Sequence, residues 1–315
     1  MTPTESTRQA IVVVGSINID LVARVPRRPD AGETLAADSF TQTPGGKGAN
    51  QAVAAARLGA PTWLVGRVGD DAFADPLRDN LRRHGVQLDH VLPTPDCSSG
   101  LALIHVDRSG ENAITIVAGA NARLTPADVD AAADRIARAA IVVLQLEVPL
   151  ATAARAAQLA REHGVPVLLD PAPAPGQPLL EPLRRVDFIS PNQTEAATLT
   201  GERVESTEEA VQAARKLIQA GAARVVLKLG SRGVLLLEGP DAEPVLVPAF
   251  NVDPVDTTGA GDAFTAGLAV GLAEGLAPAD AARLGCAAGA LATTRHGAQN
   301  AMPSREEADR LLQAR

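Results

Sequence analysis

Short apolar runs alternate with longer amphipathic segments along most of the chain. Six runs are rich in β-branched residues and too short for helices, which predicts buried strands at 11–14, 63–65, 141–146, 165–169, 186–189 and 225–229. Segments rich in Ala, Leu and Arg with a helical period lie between them, at 49–58, 72–84, 126–139, 151–163 and 207–220. This alternation predicts an α/β fold in three layers, in which helices cover both faces of a mostly parallel central sheet.

Two stretches, 20–43 and 100–117, depart from this alternation. Residues 101–106 alternate only partially and polar turn residues follow at 107–110, so we expect a few antiparallel strands beside the main sheet and a hairpin loop at 107–110. A flap over a pocket and an edge extension of the sheet both fit this pattern. The length of 315 residues suits one large domain over 1–315 that carries this small appendage.

Composition limits the classes of partner. Lys and Arg total 29 against 37 Asp and Glu, a formal charge of -8, and the basic residues are scattered, which argues against nucleic acid and anionic membranes. Cys97 and Cys286 lie far apart and the five histidines lack metal-ligand spacing, so we expect neither a disulfide framework nor a zinc site. No apolar run reaches the roughly 18 to 20 residues of a membrane span, and no signal-peptide pattern is recognisable. We therefore expect a cytoplasmic protein with reduced thiols.

A glycine-rich stretch at 256–262 (DTTGAGD) precedes an apolar run that predicts a buried helix. The free N–H groups and the positive dipole end of a helix start hold phosphate and stabilise the charge of a phosphoryl group in transfer. A carboxylate beside phosphate repels it unless it has a task, which makes Asp262 a candidate base for an attacking hydroxyl. An ordinary helix start with Asp262 as a capping or first-turn residue fits these seven residues equally well.

Polar side chains recur after the predicted strands, where open α/β sheets bind their ligands. Asn18 and Asp20 follow the first strand and point the same way, because alternate residues of an extended chain share a face. Polar groups also follow later strands, at Glu147, Asn192 and 228–233. Together they predict a polyhydroxylated ligand such as a sugar. Asp170, directly before Pro171, is interpreted instead as a loop residue that caps the next helix.

A second glycine-rich turn lies at 44–51 (PGGKGANQ) and leads into a helix. It departs from the Walker phosphate-binding loop because no Ser or Thr follows Lys47. The dinucleotide pattern Gly-x-Gly-x-x-Gly is also missing after the first strand, where residues 15–18 read GSIN. Walker-type ATPases and nicotinamide dehydrogenases both lose support, and Lys47 fits a solvated helix-start charge as well as a ligand contact.

The two glycine-rich stretches together resemble the two signatures of the ribokinase-like carbohydrate kinases, the phosphofructokinase B family. The resemblance runs almost from end to end, and the ribose-phosphorylating members match best, through 15–20, 44–55, 119–121, 145–147, 171–174, 191–196, 229–233 and 294–299. It implies the family's fold, with a β-lid at about 20–43 and 100–117 that closes on the sugar and pairs with the lid of a second subunit. The implied reaction is ATP-dependent phosphorylation of the D-ribose 5-hydroxyl, which gives D-ribose 5-phosphate and ADP.

The resemblance also implies roles for individual residues. Asp262 matches the catalytic base, and Gly259, Ala260 and Gly261 match an anion hole for the phosphoryl group in transfer. Sugar contacts are implied at Asn18, Asp20, Gly46, Lys47, Asn50, Glu147 and Asp262. Nucleotide contacts are implied at Asn192, Lys228, Gly230, Ser231, Arg232, Gly233, Gly261 and Cys286. An indirect magnesium contact is implied at Glu195, and an activating potassium site at Asp256, Thr258, Ala292, Arg295, Gly297 and Ala301.

Three positions depart from the family pattern. Ala301 stands where Ser is frequent, which removes a hydroxyl ligand for potassium but keeps the carbonyl. Cys286 stands where His is common and Lys228 where Thr occurs, and we expect both to alter packing around the adenine base rather than abolish binding.

Two alternative functions stay open at this point. A sister kinase would act on deoxyribose, fructose, a sugar acid or a nucleoside, because a few lid and pocket side chains set substrate choice. A catalytically silent sugar sensor would keep the fold and lose the base or the anion hole, and this chain retains Asp262, Gly259 and Gly261.

Overall fold

The computed structural model describes residues 10–109 and 111–314, and these ranges contain thirteen strands and eleven α-helices. Gly110, the last residue of the expected hairpin loop, lies outside the described residues. In chain order the elements are β1 (Ile11–Val14), β2 (Asn18–Arg24), β3 (Ser39–Gly45), α1 (Lys47–Arg57), β4 (Thr62–Val68), α2 (Ala74–Arg83), β5 (Gln87–Pro93), β6 (Gly100–Val106), β7 (Asn112–Val117), α3 (Pro126–Ala131), α4 (Ala133–Arg138), β8 (Ile141–Leu144), α5 (Leu150–Glu162), β9 (Val167–Leu169), α6 (Glu181–Arg184), β10 (Phe188–Ile189), α7 (Gln193–Thr200), α8 (Thr207–Gln219), β11 (Val225–Lys228), β12 (Val234–Leu237), β13 (Val245–Val247), α9 (Ala260–Ala273), α10 (Pro278–Thr293) and α11 (Arg305–Gln313).

Nine strands form one sheet in the order β13-β12-β11-β10-β9-β8-β1-β4-β5. Every pairing from β5 to β11 is parallel, and β12 and β13 add two antiparallel pairings at one edge. Helices cover both faces, which confirms the predicted three-layer fold class. The segment predicted as one helix at 126–139 is two short helices, because the backbone of Ala132 leaves helical geometry at φ -96° and ψ 9°.

Two hydrophobic cores lie on opposite faces of the sheet. Successive side chains of a strand point to opposite faces, so Ile11 and Val13 enter the core that contains α1 and α9, whereas Val12 and Val14 enter the core that contains α5. Alanine dominates the buried helix faces, which lets the helices pack closely on the sheet with few aromatic residues. Within the described ranges no helix combines the length and the apolar character needed to cross a membrane.

A second sheet of four strands, in the order β3-β2-β6-β7, stands at the carboxyl edge of the main sheet, and we call it the lid after its predicted role. Its outer pairings are antiparallel, as predicted, and its central pairing of β2 with β6 is parallel. β2 follows β1 and β6 follows β5, so both strands leave the carboxyl edge of the main sheet in the same direction. At the root of the lid Asn18 pairs with both Gly45 and Gly100.

Candidate active site

A buried carboxylate lies in the first turn of α9. Gly259 precedes this helix with φ +75°, a conformation that favours glycine, and thereby starts α9 so that Asp262 faces α1. Asn50 Nδ2 donates to Asp262 Oδ2 at 2.8 Å, and Gln51 Nε2 donates to Asp262 Oδ1 at 3.0 Å. Burial raises the pKa of Asp262, and the charge of Lys47 opposes this rise. Asp262 is therefore held in one orientation and is more basic than an exposed aspartate.

Lys47 begins α1 directly opposite this carboxylate. Attraction to Asp262 raises the pKa of Lys47 although burial lowers it, so the lysine is charged. Gly46 precedes the helix with φ +88°, and a Cβ there would lie 2.7 Å from the backbone nitrogen of Asn18, so this close approach requires glycine. The N–H of Lys47 donates to Glu147 Oε2 at 3.0 Å, which ties the start of α1 to the segment after β8.

The polar residues after β1 and β8 form a cluster near Asp262. Ser16 Oγ donates to Glu147 Oε2 at 2.5 Å, and Asn121 Nδ2 donates to Asn18 Oδ1 at 2.7 Å, so both side chains are oriented by neighbours. Asp20 packs against the Cα of Gly45, where a Cβ would approach its carboxylate to 2.3 Å. Burial, followed by the charges of Glu147 and Asp262, raises the pKa of Asp20 to about 7. A cluster of carboxylates and amides in one pocket suits a ligand with several hydroxyl groups.

A second carboxylate, Asp170 after β9, lies on the other side of Gln51. It is 1% exposed, its Oδ1 accepts from Lys228 Nζ at 2.8 Å, and its Oδ2 accepts from Gln51 Nε2 at 2.9 Å. The interpretation of Asp170 as a helix-capping loop residue is therefore wrong: its oxygens bind a lysine and a buried amide. Lys228 in turn lies next to the start of α9, since a Cβ built on Gly261 would be 3.9 Å from its Nζ.

A cavity of about 800 Å³ extends from Lys47 and Asp262 to the far end of α10. Most of the predicted nucleotide residues line it, together with the start of α9: Asn192, Glu195, Lys228, Gly230, Ser231, Gly233, Gly259, Ala260, Gly261 and Cys286. The guanidinium of Arg232 instead donates to the carbonyl of Glu205 at 3.1 Å. Residues absent from the sequence prediction also line the cavity, among them Phe250, Asn251, Val252 and Thr293. The cavity is large enough for a nucleotide and ends at the candidate base.

The family model described as pfkB family carbohydrate kinase matches residues 8–305 of this chain. The chain belongs to this family. A ribokinase from Bacillus subtilis (strain 168) is 41% identical over 303 residues, which cover 96% of this chain and 99% of that protein. A deoxyribokinase from Salmonella typhi is 42% identical over 254 residues, 81% of this chain and 82% of that protein. The structure of Arabidopsis thaliana ribokinase complexed with ribose and ATP has a TM-score of 0.91 at 36% identity, and the match covers 98% of this chain and 100% of that one.

In this pfkB carbohydrate kinase, the residues predicted to bind potassium lie before α9, in the last turn of α10 and in the segment after it, and Asp256 links the first of these segments to the last. Asp256 Oδ2 accepts from the N–H of Gly297 and its Oδ1 from the N–H of Thr258, both at 2.9 Å. Burial acts to raise the pKa of Asp256, but these N–H donors lower it overall. The carbonyl oxygens of Thr258, Ala292 and Gly297 accept no hydrogen bond from any residue in 10–109 or 111–314. A carboxylate and free carbonyls are hard oxygen donors, so the residues present fit a monovalent cation.

Asn192 and Glu195 form a reciprocal capping box at the start of α7 of this kinase. Asn192 Oδ1 accepts from the N–H of Glu195 at 2.8 Å, and Glu195 Oε2 accepts from the N–H of Asn192 at 2.7 Å. Burial raises the pKa of Glu195, Lys228 opposes the rise, and Asp170 adds to it. No group of three or more His, Cys, Asp or Glu in the described ranges could hold a metal ion by itself. A divalent cation here would need phosphate oxygens of a nucleotide as further ligands.

The sequence reasoning missed three residues of this polar centre: Asp170, Gln51 and Gln299. Gln299, 2% exposed, donates to Asn50 Oδ1 at 3.1 Å and to the carbonyl of Gly45 at 3.3 Å, and so supports the same amide that holds Asp262. Gln51 and Gln299 both lie in segments that carry the family resemblance. The signal was therefore available, because a long polar side chain inside an otherwise apolar, buried segment needs a polar partner.

Proposed function

We propose that this chain is an ATP-dependent kinase that phosphorylates the 5-hydroxyl of D-ribose, with 1–315 as one kinase domain. The observation that carries this proposal is the position of Asp262, which is buried, faces Lys47, and lies where the polar pocket meets the large cavity. The similarity to the Bacillus subtilis ribokinase and to the Arabidopsis thaliana ribokinase solved with ribose and ATP supports this substrate pair.

In the proposed reaction Asp262 accepts the proton of the 5-hydroxyl while the hydroxyl oxygen attacks the γ-phosphorus of ATP. The bond from that phosphorus to the β–γ bridging oxygen breaks, and ADP leaves with the electron pair. The N–H groups of Gly259 and Gly261 have no acceptor among the residues in the described ranges and are available to the phosphoryl oxygens. The N–H of Ala260 donates to the carbonyl of Thr257 at 3.2 Å. It would have to release this carbonyl before it could bind a phosphoryl oxygen.

The sugar would occupy the pocket lined by the predicted residues Asn18, Asp20, Gly46, Lys47, Asn50 and Glu147. Carboxylates and amides there are fixed by neighbouring donors, so their remaining lone pairs and N–H groups select hydroxyls by position. Deoxyribose is the second candidate substrate, because the Salmonella typhi deoxyribokinase is 42% identical to this chain. The two sugars differ by one hydroxyl, and a site built to bond that hydroxyl rejects the sugar without it.

ATP would bind in the cavity. Its phosphates and its own ribose would lie near Asn192, Lys228, Gly230, Ser231 and Gly233, and its adenine near Cys286. Arg232 would reach it only after releasing the carbonyl of Glu205. Magnesium would be held by the nucleotide phosphates with help from Glu195, and potassium by Asp256 and the carbonyls of Thr258, Ala292, Arg295, Gly297 and Ala301. When bound, magnesium supplies positive charge against the phosphates and potassium fixes the loop before α9.

The proposal includes a homodimer formed through the lid. Ile114 and Ile116 of β7 are 53% and 51% exposed. Ala102 of β6 pairs with both Ile116 and Asp20, and Ile114 is two residues from Ile116, so both isoleucines lie on the lid face that carries Asp20. A second copy of this chain would cover these apolar side chains. It also includes a cytoplasmic location, which the free thiols of Cys97 and Cys286 and the use of ATP support.

A panel of sugars tests the proposed function. The purified chain is incubated with ATP, magnesium and potassium plus a pentose, a hexose or a nucleoside, and ADP release and the sugar product are measured. We expect the highest kcat/KM with D-ribose and a product phosphorylated at the 5-position. The Asp262→Asn variant is the matched control, because it keeps the pocket but lacks the proton acceptor, and a general base contributes about 10²- to 10⁴-fold. Preference for another sugar, or turnover that survives Asp262→Asn, would refute the assignment.

A further inference from the structure

One buried carboxamide, that of Gln51, lies between the two buried carboxylates of the site. Its Nε2 donates to Asp262 Oδ1 at 3.0 Å and to Asp170 Oδ2 at 2.9 Å. A carboxamide has two N–H groups, so these contacts use both of them. Gln51 is 0% exposed, so water cannot replace either bond.

Gln145 fixes which way the Gln51 amide points. Gln145 Nε2 donates to Gln51 Oε1, and both side chains are fully buried. The far side of the Gln145 amide lies against Gly15, where a Cβ would be 2.0 Å from Oε1, so the absence of a side chain at Gly15 makes room for it. A flipped Gln51 would put its oxygen against two carboxylates and its nitrogen against a donor. The observed orientation satisfies all three contacts of Gln51, and among the described residues only Gln145 Oε1, beside Gly15, has no hydrogen-bond partner in this pair.

We propose that Gln51 is a positioning residue for the phosphoryl transfer, whose single amide nitrogen fixes the carboxylate of Asp262 on the sugar side and that of Asp170 on the phosphate side. The inference rests on the proposed role of Asp262 as the base. Because Asp170 in turn holds Lys228 at 2.8 Å, the same amide sets the distance between the proton acceptor and the cation nearest Gly261. The same amide therefore positions both the group that accepts the proton and the group that stabilises the phosphoryl charge.

The charges around Asp262 determine how its titration responds to loss of Gln51. Lys47 at the start of α1 faces Asp262 and favours its charged form. Asp170 after β9, which is paired with Lys228, disfavours that form. The charges of Asp262 and of Glu147 also interact with Asp20 of β2. Hydrogen bonds to the charged form favour that form, and Gln51 is one of the two amide donors to Asp262. Removing the donor therefore moves the proton uptake of Asp262 to higher pH.

The test compares Gln51→Met and Gln51→Glu with the unchanged enzyme. Methionine keeps the length of the side chain and removes both donors, and glutamate adds a third carboxyl group. We expect kcat to fall about 10- to 100-fold in Gln51→Met, because a misplaced base costs up to about 10², while the KM values for sugar and ATP change by less than about threefold. The acidic limb of the kcat profile, measured at saturating sugar so that Asp20 is covered, should move to higher pH. Gln51→Glu should be slower still.

Two controls separate positioning from general destabilisation. Thr152→Val removes a buried hydrogen bond, from Thr152 Oγ1 to the carbonyl of Leu124, on the opposite face of the sheet, and should lower Tm without moving kcat or the pH profile. When Asp262→Asn is already present, adding Gln51→Met should lower kcat by less than about a further twofold, because the effects of residues that act through one another are not additive.

The outcomes distinguish this inference from the proposed function. If the unchanged enzyme is active and Gln51→Met keeps kcat within about twofold and does not move the acidic limb, the positioning role is wrong. The kinase assignment then stands. Full additivity with Asp262→Asn overturns it as well. An unchanged enzyme that turns over none of the sugars overturns the proposed function first, and the role of Gln51 with it.

Discussion

Asp20 and Asp262 share one pocket, and burial raises the pKa of both carboxyl groups. The two differ in what compensates for the lost hydration. Asp262 receives two amide donors and faces Lys47, whereas Asp20 lies near the charges of Glu147 and Asp262. At Asp20 both neighbouring charges therefore add to the electrostatic cost of burying the carboxylate.

This cost predicts a pH-dependent gain of stability in Asp20→Asn. The pKa of Asp20 is about 7 in the folded protein and 3.8 as its ordinary value, so the folded state binds this proton more tightly than the unfolded state does. Stability is then lost as pH rises from about 4 to 7 and stays constant above. The Tm difference between Asp20→Asn and the unchanged protein should grow over that interval. Asp241→Asn, on an exposed turn, is the control, and a pH-independent difference at position 20 would contradict the argument.

The positions of individual residues in the candidate site were predictable only where a motif surrounds them. Asp262 and Lys47 stand in glycine-rich signatures, and the structure places them opposite each other, as the sugar and phosphate hypothesis requires. Asp170 stands beside prolines, so its local sequence indicates a loop and says nothing of Lys228, which is 58 positions away. Partners so distant in sequence are brought together by the sheet order, which local patterns do not encode.

The start of α9 is the element on which the proposed phosphoryl chemistry depends. Gly259 supplies the left-handed backbone that begins the helix, and Gly261 leaves space beside Lys228 rather than a special conformation. These two glycines are therefore needed for different reasons, and substitution distinguishes them.

Gly261→Ala should leave the fold intact and lower kcat. The added Cβ meets only Lys228 Nζ, at 3.9 Å, so Tm should not fall, but the methyl group occupies the space proposed for the phosphoryl oxygens. We expect a loss of kcat of about tenfold or more. Gly267→Ala in the same helix is the contrasting control: its Cβ would lie 2.8 Å from the Cα of Gly285, and overpacking costs about 1–3 kcal/mol. Unchanged kcat in Gly261→Ala would argue against an anion hole at this helix start.

The contacts between Asp256 and the loop that joins α10 to α11 lead us to predict that potassium activates the enzyme. Asp256 joins this loop to the segment before α9, so a cation bound there would order the proposed anion hole. We expect kcat in potassium to exceed that in sodium about fivefold or more, a usual size for coupling between two sites. Asp256→Asn should remove most of this difference. Equal rates in both salts, measured at equal ionic strength, would contradict the proposed site.

Elements were predictable where their hydrophobic period is complete. The runs at 11–14 and 141–144 are strands because every side chain in them is buried, and the helices at 150–162 and 207–219 follow their apolar stripes. β5 escaped prediction because it is an edge strand with partly exposed, mixed polar residues. β12 is as short, apolar and buried as β1 and β8, so the sequence analysis overlooked a readable strand there, whereas β13 has only three residues, two of them exposed.

At the scale of the whole molecule, the lid leaves an apolar surface that the proposed dimer would cover. This surface carries Ile114 and Ile116, whereas the exposed side chains of Phe40, Leu103 and Val117 lie on the opposite face of the lid. The sequence indicated strands in this region but not their order, because the parallel pairing of β2 with β6 joins segments about eighty positions apart.

The double variant Ile114→Asp with Ile116→Asp tests this dimer. Charges on both positions of β7 should prevent burial of the face and halve the mass measured by light scattering, and the KM for the sugar should rise because the lid loses its partner. Val245→Asp on β13, an apolar residue that is 43% exposed on an edge strand of the main sheet, should change neither quantity. An unchanged mass in the double variant would exclude the lid as the dimer contact.

The pairing of Asn18 with both Gly45 and Gly100 places the root of the lid at the proposed sugar site. In the proposed closure, Asn18 and Asp20 would move with β2, the strand that carries both, so the contacts to the sugar and the position of the lid would change together. A second copy bound to β7 would then act on the sugar site without touching any group that reacts.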